Sequence, residues 1–305
     1  MEKVIALRAN RWRLLSKAEK KEQEETTYKP HKKMVLTLKH IILLIIGGIM
    51  AFPLFWMIMG AFKTNYEIWN EPGKLLPSSF DFSIFYKTLT SSPFIPYIWN
   101  SLYTSVSATL IVLINSAMFA YAVTKMKFKG AKVLFMLVLG VYMLPVAVTY
   151  VPCYMILSRM GLLNSHTGLI ISWSASVFGV FYLRQAFMKV NDSMIEAARI
   201  DGSSEWRILW HIVFPNTKSA FITLSLFTFI GNYNSYMWPS LIMRSKEKIL
   251  ISNGLIQFFF QEGGYGMNWA EVMVGSTITV LPLLIAFLFL QKWFITGICD
   301  SGTKE

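Results

Sequence analysis

Glu196, Ala197, Ala198, Asp201 and Gly202 are the residues of this chain best suited to act on another molecule, and their work would be docking rather than bond-making. The two carboxylates are fixed acceptors for a partner's arginine or backbone donors. The paired alanines let a foreign surface come close to the backbone. No catalytic set accompanies them. His31, His40, His166 and His211 are scattered, without metal-ligand spacing. Cys153 and Cys299 have no ligand company and make no disulfide framework. The run from Gly297 to Lys304 nearly spells a phosphate-binding loop, but its last two residues are reversed and no strand or following helix supports it. Gly264-Tyr265-Gly266 lacks the Thr-Val lead-in of a potassium filter. Neither a catalytic residue nor a metal site is expected.

Holding those carboxylates in place requires short, well-terminated helices. Ser193, with Glu196 three residues on, reads as a capping box that opens the first. Asp201-Gly202 should stop it, because glycine readily supplies the left-handed terminal conformation. Ser203 or Ser204 can cap a second helix with Glu205 in its first turn, where the helix dipole favours an acid. Trp206, Leu209, Trp210 and Val213 follow helical spacing and make an apolar stripe, and Pro215 ends or kinks the segment. The residues alone leave two readings open: a docking site, or an interfacial helix pair that merely joins two apolar segments.

The rest of the chain is membrane in character. Of its 305 residues 54% are hydrophobic and only 15% charged, against about 25% charged in ordinary soluble domains. The net charge of +12 could point to nucleic acid, but the basic residues cluster beside apolar runs, as membrane topology is usually encoded. No nucleic-acid partner is expected. Six segments approach the roughly 20 apolar residues a bilayer needs: Val35–Phe62, Tyr97–Thr124, Val133–Tyr154, Thr167–Phe187, Ala220–Trp238 and Val272–Phe294. Lys125, Lys127, Lys129, Lys132, Arg184, Lys189, Arg199, Arg207 and Lys218 fall on the side of the basic N-terminal stretch. The charge bias therefore puts both termini in the cytoplasm, together with the sequon-like Asn191-Asp192-Ser193. The opening stretch is too long and polar for a secretory signal. The expected layout is a basic tail at 1–34, an all-α six-span bundle at 35–296 with its charged loop at 188–218, and a short tail at 297–305. Two long loops, about Lys63–Pro96 and Pro239–Glu271, face the other side.

Glu196-Ala197-Ala198, Asp201-Gly202, then an apolar helix and Pro215, resembles the signature loop of binding-protein-dependent ABC importer permeases. Gly161-Leu-Leu-Asn164, Gly168-Leu-Ile, Leu183-Arg-Gln185, Phe229-Ile-Gly231 and Trp238-Pro239 are similar to the carbohydrate-uptake branch, in particular to its maltose-type second permease. The chain departs from that branch at Ser219, where proline is usual, at Tyr233-Asn234-Ser235, and in its final residues.

The resemblance implies a multi-pass subunit of a bacterial cytoplasmic membrane that carries no cofactor of its own. Two separate ATP-binding subunits would hold ATP and magnesium. A second permease and an extracytoplasmic solute-binding protein complete the assembly, with membrane lipids around it and a carbohydrate as cargo. The resemblance makes Glu196–Gly202 the contact with the ATPase, and Gly263, Gly264, Tyr265 and Gly266 a loop touching the binding protein. Asn115, Tyr121, Asn232, Tyr233, Asn234 and Trp238 are candidates for the solute pathway, since polar groups at membrane depth tend to face a bundle interior. Interhelical hydrogen bonding is the alternative for each asparagine. A polyol or glycerol phosphate importer of the same build is the nearest alternative. A self-contained carrier is less favoured, because no inverted repeat is visible.

Overall fold

The computed structural model describes residues 34–260 and 268–302, with side chains to 292. The basic tail before residue 34 and the Gly263–Gly266 loop lie outside the described residues. Residues 34–57 fall in one compact unit and the described residues from 58 onward in another.

Most of α1 (Met34–Gly60) belongs to the first unit. It is an unbroken apolar helix of 27 residues, about 40 Å long and sufficient for a hydrocarbon core of about 30 Å. Two short helices follow, α2 (Asn65–Asn70) and α3 (Ser83–Ser91). A reciprocal capping box opens α2: the Thr64 hydroxyl accepts from the Glu67 amide, and the Glu67 carboxylate accepts from the Thr64 amide at 2.9 Å. Glu67 also accepts from the Ser78 amide at 2.8 Å, folding the loop back on itself.

The axis of the second unit is α4 (Phe94–Lys125), 32 residues long. Ser101, Thr104, Ser105, Ala108, Val112, Ser116 and Ala120 recur along it at three- and four-residue steps and are buried. Small side chains of this kind admit neighbouring helices closely, which matters where water gives no drive for helices to associate. Against α4 pack α7 (His166–Ser172), α8 (Val177–Phe187), α12 (Lys218–Tyr233) and α14 (Ile251–Phe258). At Gly179 of α8 a Cβ would sit 2.5 Å from the Ser116 hydroxyl, so glycine sets that crossing. The last helix, α15 (Trp269–Gly302), begins three residues earlier than the hydrophobic run suggests and passes through Pro282 unbroken.

Three of the six expected segments are divided. The third is two helices, α5 (Ala131–Tyr142) and α6 (Val146–Arg159), bent by 101° at Pro145. Proline cannot continue the hydrogen-bond ladder, and it opens the new helix instead. The fourth bends by 48° between α7 and α8, where the Ser176 hydroxyl caps α8 by accepting from the Gly179 amide at 2.9 Å. The fifth stops at Tyr233 rather than Trp238 and restarts as α13 (Met237–Ile242). Residues 232–236 read Asn-Tyr-Asn-Ser-Tyr, and short polar side chains compete with the backbone for hydrogen bonds. Three described helices are thus long and apolar enough to cross a membrane, five counting each bent pair as one. The 16 residues of α12 reach only about 24 Å.

Candidate functional site

The charged island forms α9 (Asp192–Ile200), a turn, then α10 (Glu205–Ile208). The first helix is capped two residues earlier than the Ser193–Glu196 box implies. Asn191 is the N-cap, and its side-chain oxygen accepts from the Ser193 amide at 3.0 Å. Glu196 is thereby released from capping and points outward, where Lys127 lies 3.5 Å from its carboxylate. At the other end the Ser203 amide donates to Ala198 O at 2.9 Å and the Gly202 amide to Arg199 O at 3.1 Å. Gly202 itself has φ +78°. This is a complete Schellman stop, and it needs a residue without a Cβ penalty at Gly202. The Ser204 hydroxyl accepts from the Arg207 amide and caps α10, with Glu205 in the first turn.

Beyond Ile208 the backbone runs as a π-helix, Leu209–Val213, before the short α11 (Phe214–Asn216) at Pro215. The extra residue per turn shifts the apolar stripe. Ile208, Leu209 and Val213 face the core, whereas Trp206 is largely exposed and meets Trp210 edge-on at 5.6 Å. Glu196, Ala197, Asp201 and Gly202 are exposed. Ile200, an isoleucine, is 87% exposed at the tip. Ala198 instead packs inward with Ile195, Leu183 and Phe187. Of the two alanines, only Ala197 faces outward.

The island is clamped to the end of α4. Arg199 grips Glu205 through two bonds of 2.8 and 3.1 Å and also donates to Lys125 O at 3.0 Å. The Tyr121 hydroxyl donates to the same Glu205 carboxylate. Lys125, itself buried, donates to Val190 O at 2.7 Å and pairs with Asp192 at 2.6 Å. Hydrogen bonding from Arg199 foremost, with Tyr121 adding to it, holds the Glu205 carboxyl below the ordinary range against the pull of burial. Glu205 in turn raises the guanidinium. Lys125 lowers Asp192 in the same way. Tyr121 is therefore placed in this clamp and not beside the other residues grouped with it as pathway candidates. Its helical spacing from Lys125 hinted at a shared face, but nothing in the sequence linked it to Glu205.

The remaining candidates lie deeper. Asn115 donates to Ser174 O at 3.0 Å, serving a carbonyl released by the α7–α8 bend. Asn232 lines a cleft of about 280 Å³ with Val112, Ser172, Trp173, Ser176, Phe178, Phe227 and Thr228. The Asn232 side-chain nitrogen is buried with no hydrogen-bond partner among the described residues. Tyr233 faces away, fully buried, its hydroxyl donating to Thr279 O at 3.1 Å. Asn234 is the exposed C-cap of α12. Trp238 is buried among Leu157, Leu169, Ile242 and Leu250, donating to the Ser172 hydroxyl at 2.8 Å and stacking on Tyr150. Of the six, only Asn232 opens onto the cleft. Trp173, Phe178 and Phe227 went unnoticed in the sequence; the polar interruption Ser172–Ser176 inside an apolar run was the available signal.

Residues 116–298 match the protein family described as binding-protein-dependent transport system inner membrane component, and the chain belongs to it. It is 30% identical over 265 residues to the arabinooligosaccharides transport system permease protein AraQ of Bacillus subtilis (strain 168), covering 83% of this chain and 90% of that protein. It is 32% identical over 270 residues to the sn-glycerol-3-phosphate transport system permease protein UgpE of Pectobacterium atrosepticum, covering 86% and 95%. Its fold is also that of a chain in the crystal structure of a bacterial ABC transporter involved in the import of the acidic polysaccharide alginate. There the TM-score is 0.74 at 23% identity, over 87% of this chain and 98% of the other.

Proposed function

We propose that this chain is the permease subunit of an ATP-driven importer that moves a sugar or oligosaccharide into the cytoplasm by alternating access. The observation carrying the proposal is the exposed patch Glu196, Ala197, Ile200, Asp201 and Gly202, held rigidly on the end of α4. A short stiff helix clamped at its base can be displaced as a body, and that displacement is what an ATPase closing around nucleotide would deliver. ATP and magnesium belong to two partner subunits. A second permease and an extracytoplasmic binding protein complete the assembly, with both termini of this chain in the cytoplasm. The domain layout is a tail at 1–34, the bundle at 35–296 with its 188–218 loop, and a tail at 297–305.

AraQ and UgpE point to different cargoes, an oligosaccharide and a phosphoester. The cleft favours the first. Its lining offers Asn232, Ser172, Ser176 and Thr228 for hydroxyls and Trp173, Phe178 and Phe227 for ring faces, but no lysine or arginine to meet a phosphate. ATPase stimulation of the reconstituted assembly by its binding protein, loaded with neutral sugars or with sn-glycerol-3-phosphate, decides between them. Stimulation by an oligosaccharide is the expected result; stimulation by glycerol phosphate alone would reverse the cargo. If neither stimulates while the assembly still hydrolyses ATP, the sugar reading fails.

A further inference from the structure

Arg184, in the last turn of α8, has no anionic partner among the described residues. Its guanidinium carbon lies 4.2 Å from the centre of the Phe135 ring on α5. Its Nε is buried without a hydrogen-bond partner among the described residues, and none of their ion pairs involves it. A stacked arginine left in this state keeps its planar fork of donors available for an oxyanion, ideally a carboxylate or phosphate. Lys132 lies one helical turn before Phe135 on α5 and is exposed, adding positive charge at the same end.

From that end a groove leads into the apolar depth between α5 and α8. Leu139 and Tyr142 line one wall and Val177, Phe178 and Phe181 the other, around about 350 Å³. Phe135, Leu139 and Tyr142 are spaced i, i+4, i+7, as are Val177, Phe181 and Arg184, so the charge and the apolar walls share the two facing stripes. Along α8 the groove is lined from Val177 to Phe181, about 6 Å, and Arg184 follows one turn beyond its mouth, about 4.5 Å further. It sits at the end of the bundle that carries Lys125 and the docking island, where α8 leads directly into α9.

We propose that this groove holds one acyl chain of an anionic phospholipid, with its phosphate bound by Arg184 beside Lys132. Basic pockets between membrane helices bind anionic headgroups in this manner. A transmembrane helix of a partner, about 10 Å across, is too wide for the space, whereas an acyl chain is not.

The test uses the complete importer assembly purified with limited delipidation from membranes containing phosphatidylglycerol and phosphatidylcholine, and lipid retention is read by native mass spectrometry. Wild type should retain phosphatidylglycerol in preference to phosphatidylcholine. Arg184→Gln should weaken that retention roughly fivefold, while Arg184→Lys keeps most of it. Leu139→Trp, which fills the groove and leaves the charge, should also release the lipid. Equal retention in Arg184→Gln and wild type overturns the proposal. So does loss of the second permease from the Arg184→Gln assembly, because the guanidinium would then be paired with a subunit rather than with lipid. If Arg184→Gln does not assemble at all, Leu139→Trp decides: undiminished phosphatidylglycerol in that variant is the refuting result.

Discussion

Glu205 is held by Arg199 and Tyr121 at once, and through Arg199 it reaches the Lys125 carbonyl at the end of α4. Replacing it with glutamine removes the charge from a partly exposed pair, a loss of about 1 kcal/mol after allowance for solvent. Glu205→Gln should therefore leave the assembly folded but lower solute imported per ATP by roughly fivefold. Parallel uptake and phosphate-release assays read that ratio, and an unchanged ratio would show the clamp to be idle. Gly202→Val should act more severely, because a β-branched residue at φ +78° is strongly disfavoured. Glu67 gives a pH-dependent counterpart in the α2 loop. Bonds from Ser78 and the Thr64 backbone lower its carboxyl from 4.5 to about 2. The stability it adds is complete above pH 4.5 and disappears as pH falls toward 2. Amide protection factors across residues 64–78, corrected for the intrinsic exchange rate at each pH, should fall over that interval in wild type, and Glu67→Gln should abolish the dependence.

Among the elements, close packing separates glycines that matter from those that do not. A Cβ on Gly254 of α14 would meet the buried Tyr97 ring at 2.3 Å, whereas one on Gly140 of α5 meets nothing within 4 Å. Gly254→Ala should lower the melting temperature of the purified assembly by several degrees, as expected for about 1–3 kcal/mol of overpacking, and Gly140→Ala should be silent or slightly stabilising. Some of this architecture was plain in the sequence. Gly202 and Glu205 gave the turn and the second helix and narrowed its cap to Ser203 or Ser204, because caps are local chemistry; the structure selects Ser204. Asn191 was passed over for Ser193, since both types cap and only the backbone at residue 191 chooses between them. The clamp was invisible for a different reason: Tyr121 and Glu205 are 84 residues apart, and no periodicity reports such a pairing. Likewise, hydropathy read Ala220–Trp238 as one segment because apolar residues resume after the Asn232–Tyr236 interruption. The break depends on hydrogen bonding that hydropathy does not measure.

At the scale of the whole molecule, the expected orientation can be tested at the tip of the island. In inside-out vesicles stripped of the ATPase, with Cys153 and Cys299 replaced by serine, Ile200→Cys should react with a membrane-impermeant maleimide, and in right-side-out ones it should not. The opposite pattern would invert the topology. The two ends of the second unit are also joined by a single member. Near its start, α4 is fastened by Asn100, which donates to Glu247 O and Ile249 O at 2.8 and 3.1 Å, and by Ser101, which accepts from the Ile251 amide at 2.8 Å. At its finish Lys125 and Tyr121 fasten it to the island. Between these anchorages lie about 37 Å of helix with neither proline nor glycine. A bar bolted at both ends cannot let its ends drift independently. In a translocator such a bar is an interlock: tilting it to unseal one face draws in the other, so the two faces do not move independently.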